Sequence, residues 1–241
     1  MAKSQTLHID ILEALLAGHQ QAFDALAELL AEENKHTNLT RITDPQQVRI
    51  RHFLDSLAVL PILDAMAAGR ERFSVVDVGS GAGFPSLPLA IVRPGWQFVS
   101  IEATGKKVHF QQKVAAQLGL KTLTVLHGRA EDVAHEPHYR QQFDAALARA
   151  VADLRVLAEI SLGLVKVGGA MLAFKGPDSD LECTAAEKSI ATLGGKLSHT
   201  YSYTLPGVTD AFRLIEIRKI SPTPDEYPRS YSLITRKPPH E

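Results

Sequence analysis

The sequence predicts an α/β fold: a mostly parallel sheet of seven strands with an antiparallel hairpin at one edge, preceded by a group of helices. Three observations predict it. From Phe73 onward, short apolar runs rich in Val and Ile alternate with longer stretches of helical period, the pattern of strand, crossover helix, strand. Before Phe73 the apolar residues recur only at helical spacing. Near the end, "LSHTYSYTL" and "FRLIEIRKI" follow one another without an intervening helix, so they are expected to pair as neighbouring antiparallel strands.

Along the chain, Ile11, Leu12, Leu15, Leu16, Phe23, Leu26, Leu29 and Leu30 mark two amphipathic helices, or one broken near Gly18. Asp44 followed by Pro45 is a helix cap with proline at the first helical position, and a further helix carries "VRIRHFLDSLAVLPIL". The expected strands are then "FSVVDVG", "WQFVSIE", "LTVLHG", "FDAALARA" and "AMLAFKG", with helices over "FPSLPLAIVR", "GKKVHFQQKVAAQLGL", "LRVLAEISLGLVKVGG" and "LECTAAEKSIATLGG". These elements divide the chain into an N-terminal helical region (1–72), a core (73–220) and a basic, Pro-rich tail (221–241) expected to be a loop or loosely held arm.

A chain of 241 residues, 45% hydrophobic and 22% charged, fits one large globular domain with an appendage. Its N-terminus lacks the basic-then-apolar profile of a secretion signal, and no apolar run approaches the roughly 20 residues that span a bilayer. A cytoplasmic protein with no membrane attachment is expected. Cys183 is the single cysteine, so no intramolecular disulfide forms and an inert thiol is expected; ten histidines occur without HExxH or any close His/Cys group, so no metal is assigned. The net charge of −1 excludes a globally basic protein but not a local basic face.

The chemistry concentrates in "DVGSGAGFPS". In an open parallel sheet, ligands settle beyond the carboxyl ends of the strands, and Gly79, Gly81 and Gly83 there permit unusual dihedrals and close backbone approach. A dinucleotide fingerprint needs glycine at the sixth place, which is Phe84. The Gly-x-Gly-x-Gly order is instead typical of enzymes that bind S-adenosylmethionine, and a bulky residue at 84 is placed to cover part of such a ligand. Glu102, ending the second strand, is positioned to accept from both ribose hydroxyls. After the third strand, Ala130 offers backbone contacts to an adenine edge, and either Glu131 or Asp132 an acceptor for its amine. Asp77 either organises the loop amides or faces a methionine ammonium.

These residues and their neighbours resemble the bacterial small-subunit ribosomal RNA guanine-N(7) methyltransferases, the family long labelled glucose-inhibited division protein B. The resemblance rests on the order of "NLTRITDP", "RHFLDSL", "DVGSGAGFP", "GRAED", "ARAV", "FKG" and "YPR" through most of the chain. It implies a Rossmann-like class I S-adenosylmethionine-dependent methyltransferase that modifies N(7) of a guanine in small-subunit (16S) rRNA, acting as a monomer on the RNA or an assembling small subunit. The family's cofactor contacts carry over to Gly79, Phe84, Ala130, Glu131 and Arg149; Gly81, Gly83 and Glu102 come from the loop and ribose arguments. Ser86 stands where the family often has glycine, and "EATGKK" is a loose version of its segment. N(7) needs no deprotonation, so no general base is expected and no catalytic residue is assigned. Arg41, Arg49, Arg51, Lys106, Lys107, Lys175, Arg229, Arg236 and Lys237 are candidates for gripping phosphates, while His52, Asp55 and Ser56 either serve the site or bind their helix to the sheet. Two other readings stay open on the residues alone: a methyltransferase of a small metabolite, active without RNA, and a noncatalytic RNA-binding assembly factor that no longer binds the cofactor. An NAD oxidoreductase fits worst, because the glycine order is wrong.

Overall fold

A computed structural model describes residues 3–70, 72–149, 152–177, 179–236 and 239. Its sheet has eight strands: β1 (Lys3–Thr6), β2 (Ser74–Val78), β3 (Gln97–Glu102), β4 (Leu123–His127), β5 (Phe143–Arg149), β6 (Val165–Lys175), β7 (Gly195–Thr204) and β8 (Ala211–Lys219). They lie in the order β1-β7-β8-β6-β5-β2-β3-β4. All neighbours are parallel except β8, which runs antiparallel to both β6 and β7.

The seven expected strands are present, and the eighth corrects the count. "KSQT" is polar and fully exposed, so it carries no apolar signal; it is a strand because Lys3 to Thr6 pair with His199 to Ser202 of β7. The hairpin is therefore covered by β1 on its outer side and is not the edge. A second correction concerns "LRVLAEISLGLVKVGG": helix α9 (Leu154–Leu162) stops at Gly163 and β6 begins at Val165. Gly169 lies within that strand, where a Cβ would come 2.5 Å from the Asp144 carbonyl oxygen, so glycine serves close strand packing there.

Consecutive strand residues point to opposite faces, and two cores result. On one face Val75, Phe98, Ala145, Leu147, Leu172 and Leu214 pack with the N-terminal helices α1 (Asp10–Gly18) and α2 (Gln20–Thr37), which are separate as one of the two readings had it. Asp44 accepts from the Gln47 amide at 2.8 Å and Pro45 opens α3 (Pro45–Val48), as expected of the cap. The chain continues as a π-helix (Arg49–Leu54), then α4 (Asp55–Leu57) and α5 (Leu60–Ala67). These elements sit over α6 (Ser86–Val92), all seven of whose residues are buried, as a helix apolar on every side after Ser86 demands.

On the other face Val76, Val78, Ala146, Ala148, Met171 and Ile215 pack with α9 and α10 (Asp180–Thr192). Residues 221–236 of the tail join this face: α11 (Tyr231–Arg236) buries Ile234, and Arg140 donates to the carbonyls of Thr223, Pro224 and Tyr227. Lys219 Nζ, buried, donates to the carbonyls ending α9 and α10, at Leu162 and Leu193, and to the Thr223 hydroxyl. Cys183 is buried, and burial raises its thiol, consistent with an inert side chain.

Candidate functional site

β2 has β3 on one side and β5 on the other, so connections diverge at its carboxyl end and open a crevice there. The loop from Gly79 to Pro85 occupies that end before α6 starts. Gly79, Gly81 and Gly83 have φ of 68°, 60° and 89°, left-handed values that glycine alone adopts without strain. Gly83 is also crowded, since a Cβ would meet Leu87 Cδ1 at 2.4 Å, whereas at Gly81 nothing lies within 4 Å. The loop thus presents open backbone at 81 and is packed down at 83.

Glu102, 6% exposed, ties two strand-end loops together: Oε2 accepts from the Gly81 amide at 2.9 Å and Oε1 from the Thr104 amide at 2.8 Å. Each carboxylate oxygen keeps a further acceptor site, which is what a ribose diol requires. Behind the loop, Gln111 Nε2 donates to the Gly81 carbonyl (2.8 Å) and to Ser80 Oγ (2.9 Å), and Ser100 donates to Gln111 Oε1 at 2.5 Å. Both Gln111 and Ser100 are fully buried. Sequence reasoning missed this network; polar residues inside apolar runs were the available signal.

At the end of β4, Ala130 opens the short helix α8 (Ala130–Val133). Of the two acids left open there, Glu131 is buried and Asp132 exposed. Arg129 stands 3.4 Å from Glu131, and its guanidinium lies 4.8 Å over the Tyr231 ring of α11.

Asp77 organises the start of α6 through one oxygen, while its Oδ1 is buried without a hydrogen-bond partner among the described residues. Its Oδ2 accepts from the Ser86 amide at 3.0 Å, a bond that glycine at 86 would make equally well. Burial pushes this carboxyl up to about 7, against the opposing pull of Ser86 and Arg149.

Phe84 differs from expectation. Its ring is 4% exposed and does not lie open over the crevice; it stacks on His52 (centroids 4.6 Å, 8° between planes) with the Arg149 guanidinium 5.6 Å away. Arg149 ends β5 and reaches the N-terminal helices: Nη1 donates to Asp55 Oδ2 (2.9 Å) and the Arg51 carbonyl (3.2 Å), and Nη2 lies 3.4 Å from His52 Nδ1. Asp55 Oδ1 accepts from the Tyr203 hydroxyl of β7 at 2.6 Å, and His52 Nε2 pairs with Thr40 Oγ1 at 2.9 Å. Burial, then Arg149, lowers His52 to about 4, so it is neutral near pH 7, with Nδ1 facing the guanidinium as acceptor. His52 and Asp55 thus join their helices to the ends of β5 and β7 beside the glycine loop, while buried Ser56 bonds its own helix through the His52 carbonyl. The π-helix carries His52, and Asp55 opens α4 directly after it; such segments recur at functional positions. Thr40 and Tyr203 were not foreseen: Thr40 falls within "NLTRITDP" but was not singled out there, and Tyr203 stands in no distinctive local pattern.

The basic candidates divide. Arg229 is committed to Glu159, which is wholly buried: Nε donates to Oε1 (2.8 Å) and Nη2 to Oε2 (2.7 Å). Lys175 donates to Glu182 and the Ala152 carbonyl, both at 2.6 Å. Arg49 lies 3.8 Å from Glu13, and Lys106 donates to the Thr37 carbonyl. Arg41, Arg51, Lys106 and Arg236 are exposed, Lys107 is half-buried, and Lys237 lies outside the described residues. Among the described residues no group of acids, His or Cys is placed to hold a metal, and no helix is long and apolar enough to cross a membrane.

A glycine loop over a strand-end acid, with a second acid after the next strand, fits a nucleoside cofactor. Together with the sheet order it defines a class I S-adenosylmethionine-dependent methyltransferase. Solved structures share this fold: TrmN from Thermus thermophilus (TM-score 0.51, 20% identity, 70% of this chain and 53% of that one), and geranyl diphosphate methyltransferase in complex with SAM (TM-score 0.53, 16% identity, 69% and 86%). A family model described as rRNA small subunit methyltransferase G (GidB) matches residues 19–206. The ribosomal RNA small subunit methyltransferase G of Lactobacillus delbrueckii subsp. bulgaricus is 42% identical over 219 residues, 91% of each chain. That of Leuconostoc citreum is 43% identical over 219 residues, 90% of each. The chain belongs to the rRNA small subunit methyltransferase G family.

Proposed function

We infer that this protein transfers a methyl group from S-adenosylmethionine to N(7) of a guanine in 16S rRNA. The observation that carries the reading is the strand-end loop, with three left-handed glycines beside a doubly bonded Glu102, in a chain related over nine-tenths of its length to named rRNA methyltransferases. When bound, the cofactor supplies a methyl group made electrophilic by its sulfonium.

Each residue takes a share of the positioning. Gly79 and Gly81 leave backbone open to close approach while Gly83 packs the loop down on Leu87, Glu102 accepts from the ribose, and Ala130 with Glu131 meets the adenine. Phe84 contributes its backbone to the cofactor side while its ring anchors the loop to His52. Arg149 stands between cofactor and acceptor base. Guanine N(7) has a free lone pair: the N–CH3 bond forms as the S–CH3 bond breaks, the electron pair goes to sulfur, positive charge passes to the purine and no proton moves. This fits a site whose one imidazole is held neutral between Thr40 and Arg149. Catalysis then rests on alignment, worth up to roughly 7 to 11 kcal/mol in well-oriented systems.

The protein is proposed to act as a cytoplasmic monomer on the assembling small subunit, with Arg41, Arg51, Lys107 and Arg236 as phosphate contacts. Residues 73–220 would bind the cofactor and 1–72 would help frame the acceptor side. The test is transfer of a labelled methyl group to small subunits lacking the mark and to free 16S rRNA, with nucleotide-resolution mapping of 7-methylguanosine. No incorporation into either substrate refutes the reading.

A further inference from the structure

Beside Arg149, on the side away from the glycine loop, a cavity of about 390 Å³ opens over the ends of β5, β6 and β7. Arg51, His52, Asp55, Arg149, Phe174 and Tyr203 help to line it. We propose that this cavity receives the target guanine and that the Arg149–Asp55 pair reads its O6 and amino edge, distinguishing it from adenine. The inference rests on the methyl-transfer reading above and adds the residues that select the base.

Position supports it first. The proposed cofactor contacts stand at the ends of β2, β3 and β4, and Arg149 ends β5 on the opposite side of β2. In-line transfer requires the acceptor nitrogen to approach the methyl group from the side away from sulfur, and the cavity is lined by Arg149 itself, across β2 from the proposed cofactor contacts. Its size falls within the range of pockets that enclose small ligands, roughly 300 to 1,000 Å³.

Hydrogen-bonding capacity supports it second. Going round the purine from N(7), guanine presents O6, an acceptor, then N1–H and the 2-amino group, both donors. Adenine presents the reverse, an amino donor and then an N1 acceptor. A guanidinium has five N–H donors; Arg149 directs two at Asp55 and the Arg51 carbonyl and a third toward His52, leaving two for O6. Asp55 Oδ1 and Oδ2 each accept one bond, from Tyr203 and Arg149, and each oxygen has a further lone-pair site for N1–H or the 2-amino group. With Arg149 and Asp55 themselves 2.9 Å apart, donor and acceptor lie side by side in the order guanine needs. Adenine would set its amine against the guanidinium and its lone pair against the carboxylate, and a site built to hydrogen-bond one partner rejects the other strongly. Phe174 supplies an apolar wall.

The test uses full-length protein and reconstituted small subunits whose mapped target position carries guanosine, inosine or adenosine. Inosine keeps N(7), O6 and N1–H but lacks the 2-amino group. Wild-type protein should favour guanosine over inosine by at least about tenfold in kcat/KM, as expected for one lost bond to a charged acceptor, and adenosine should give no product. Asp55→Asn should lower kcat/KM for guanosine and bring the guanosine-to-inosine ratio close to one, a change of ratio that a general loss of cofactor affinity or of fold does not produce. Equal wild-type activity on guanosine and inosine overturns the proposal, as does an unchanged ratio in Asp55→Asn. The wild-type comparison decides alone if the variant fails to fold. Absence of any wild-type transfer to guanosine would instead refute the activity and, with it, this inference.

Discussion

Asp77→Asn isolates one buried charge. The Asp77 carboxyl is 1% exposed, and burial raises it from an ordinary 3.8 to about 7. Between those values the folded protein holds a proton that the unfolded chain has released, so stability is full below pH 3.8, falls as pH rises, and is lost above pH 7. Its size is about 4 kcal/mol, the free energy of that displacement. His52 works in the other direction: its folded value of about 4 lies below the usual 6.5, so stability is lost as pH falls from 6.5 toward 4. A wild-type profile alone would blend the two. Asn keeps the shape of the side chain and an acceptor for the Ser86 amide but cannot titrate, and His52 is common to both proteins. Urea unfolding followed by circular dichroism from pH 4 to pH 8 should therefore show the variant gaining on wild type by up to about 4 kcal/mol across that range. A difference that stays constant with pH would refute the reasoning, because the carboxyl would then titrate alike in both states.

Further outcomes follow from the loop, the tail and the Arg149 cluster. Gly83→Ala should destabilise the fold by about 1–3 kcal/mol in thermal unfolding, since a Cβ there meets Leu87 in a left-handed conformation. Gly81→Ala, facing open space, should cost only about 1 kcal/mol of stability but weaken S-adenosylmethionine binding tenfold or more in calorimetry. Arg229→Ala should cost about 3–5 kcal/mol by leaving Glu159 buried and unpaired, while the salt dependence of RNA binding keeps its wild-type slope. Tyr203→Phe removes one bond from Asp55 and should cost about 1–2 kcal/mol in chemical denaturation.

The sequence made most strands of the core and the cofactor loop readable because both are local. Runs such as "SVVDV" declare a buried strand, and three alternate glycines declare left-handed backbone wherever they are placed. What escaped was set by partners distant in the chain. β1 is polar and becomes a strand only because β7 lies alongside it. Arg149 was legible as a candidate site residue, but its link to Asp55 and through it to Tyr203, which joins three separate elements, was not. Arg229 and Lys175 looked like phosphate ligands because a sequence displays charge without displaying the acid that neutralises it.

The placement of β1 also bears on the order in which the molecule is completed. Lys3 to Thr6 pair with His199 to Ser202, so β1, made long before β7, is fixed only after β7 exists. Until β7 has been synthesised, that segment has no ladder to join, whatever the sheet around β2 has already formed. Pairings so far apart in sequence slow folding. Each newly made chain must therefore carry β1 unpaired until β7 emerges, and the exposed, polar character of "KSQT" keeps that strand from sticking to its neighbours while it waits.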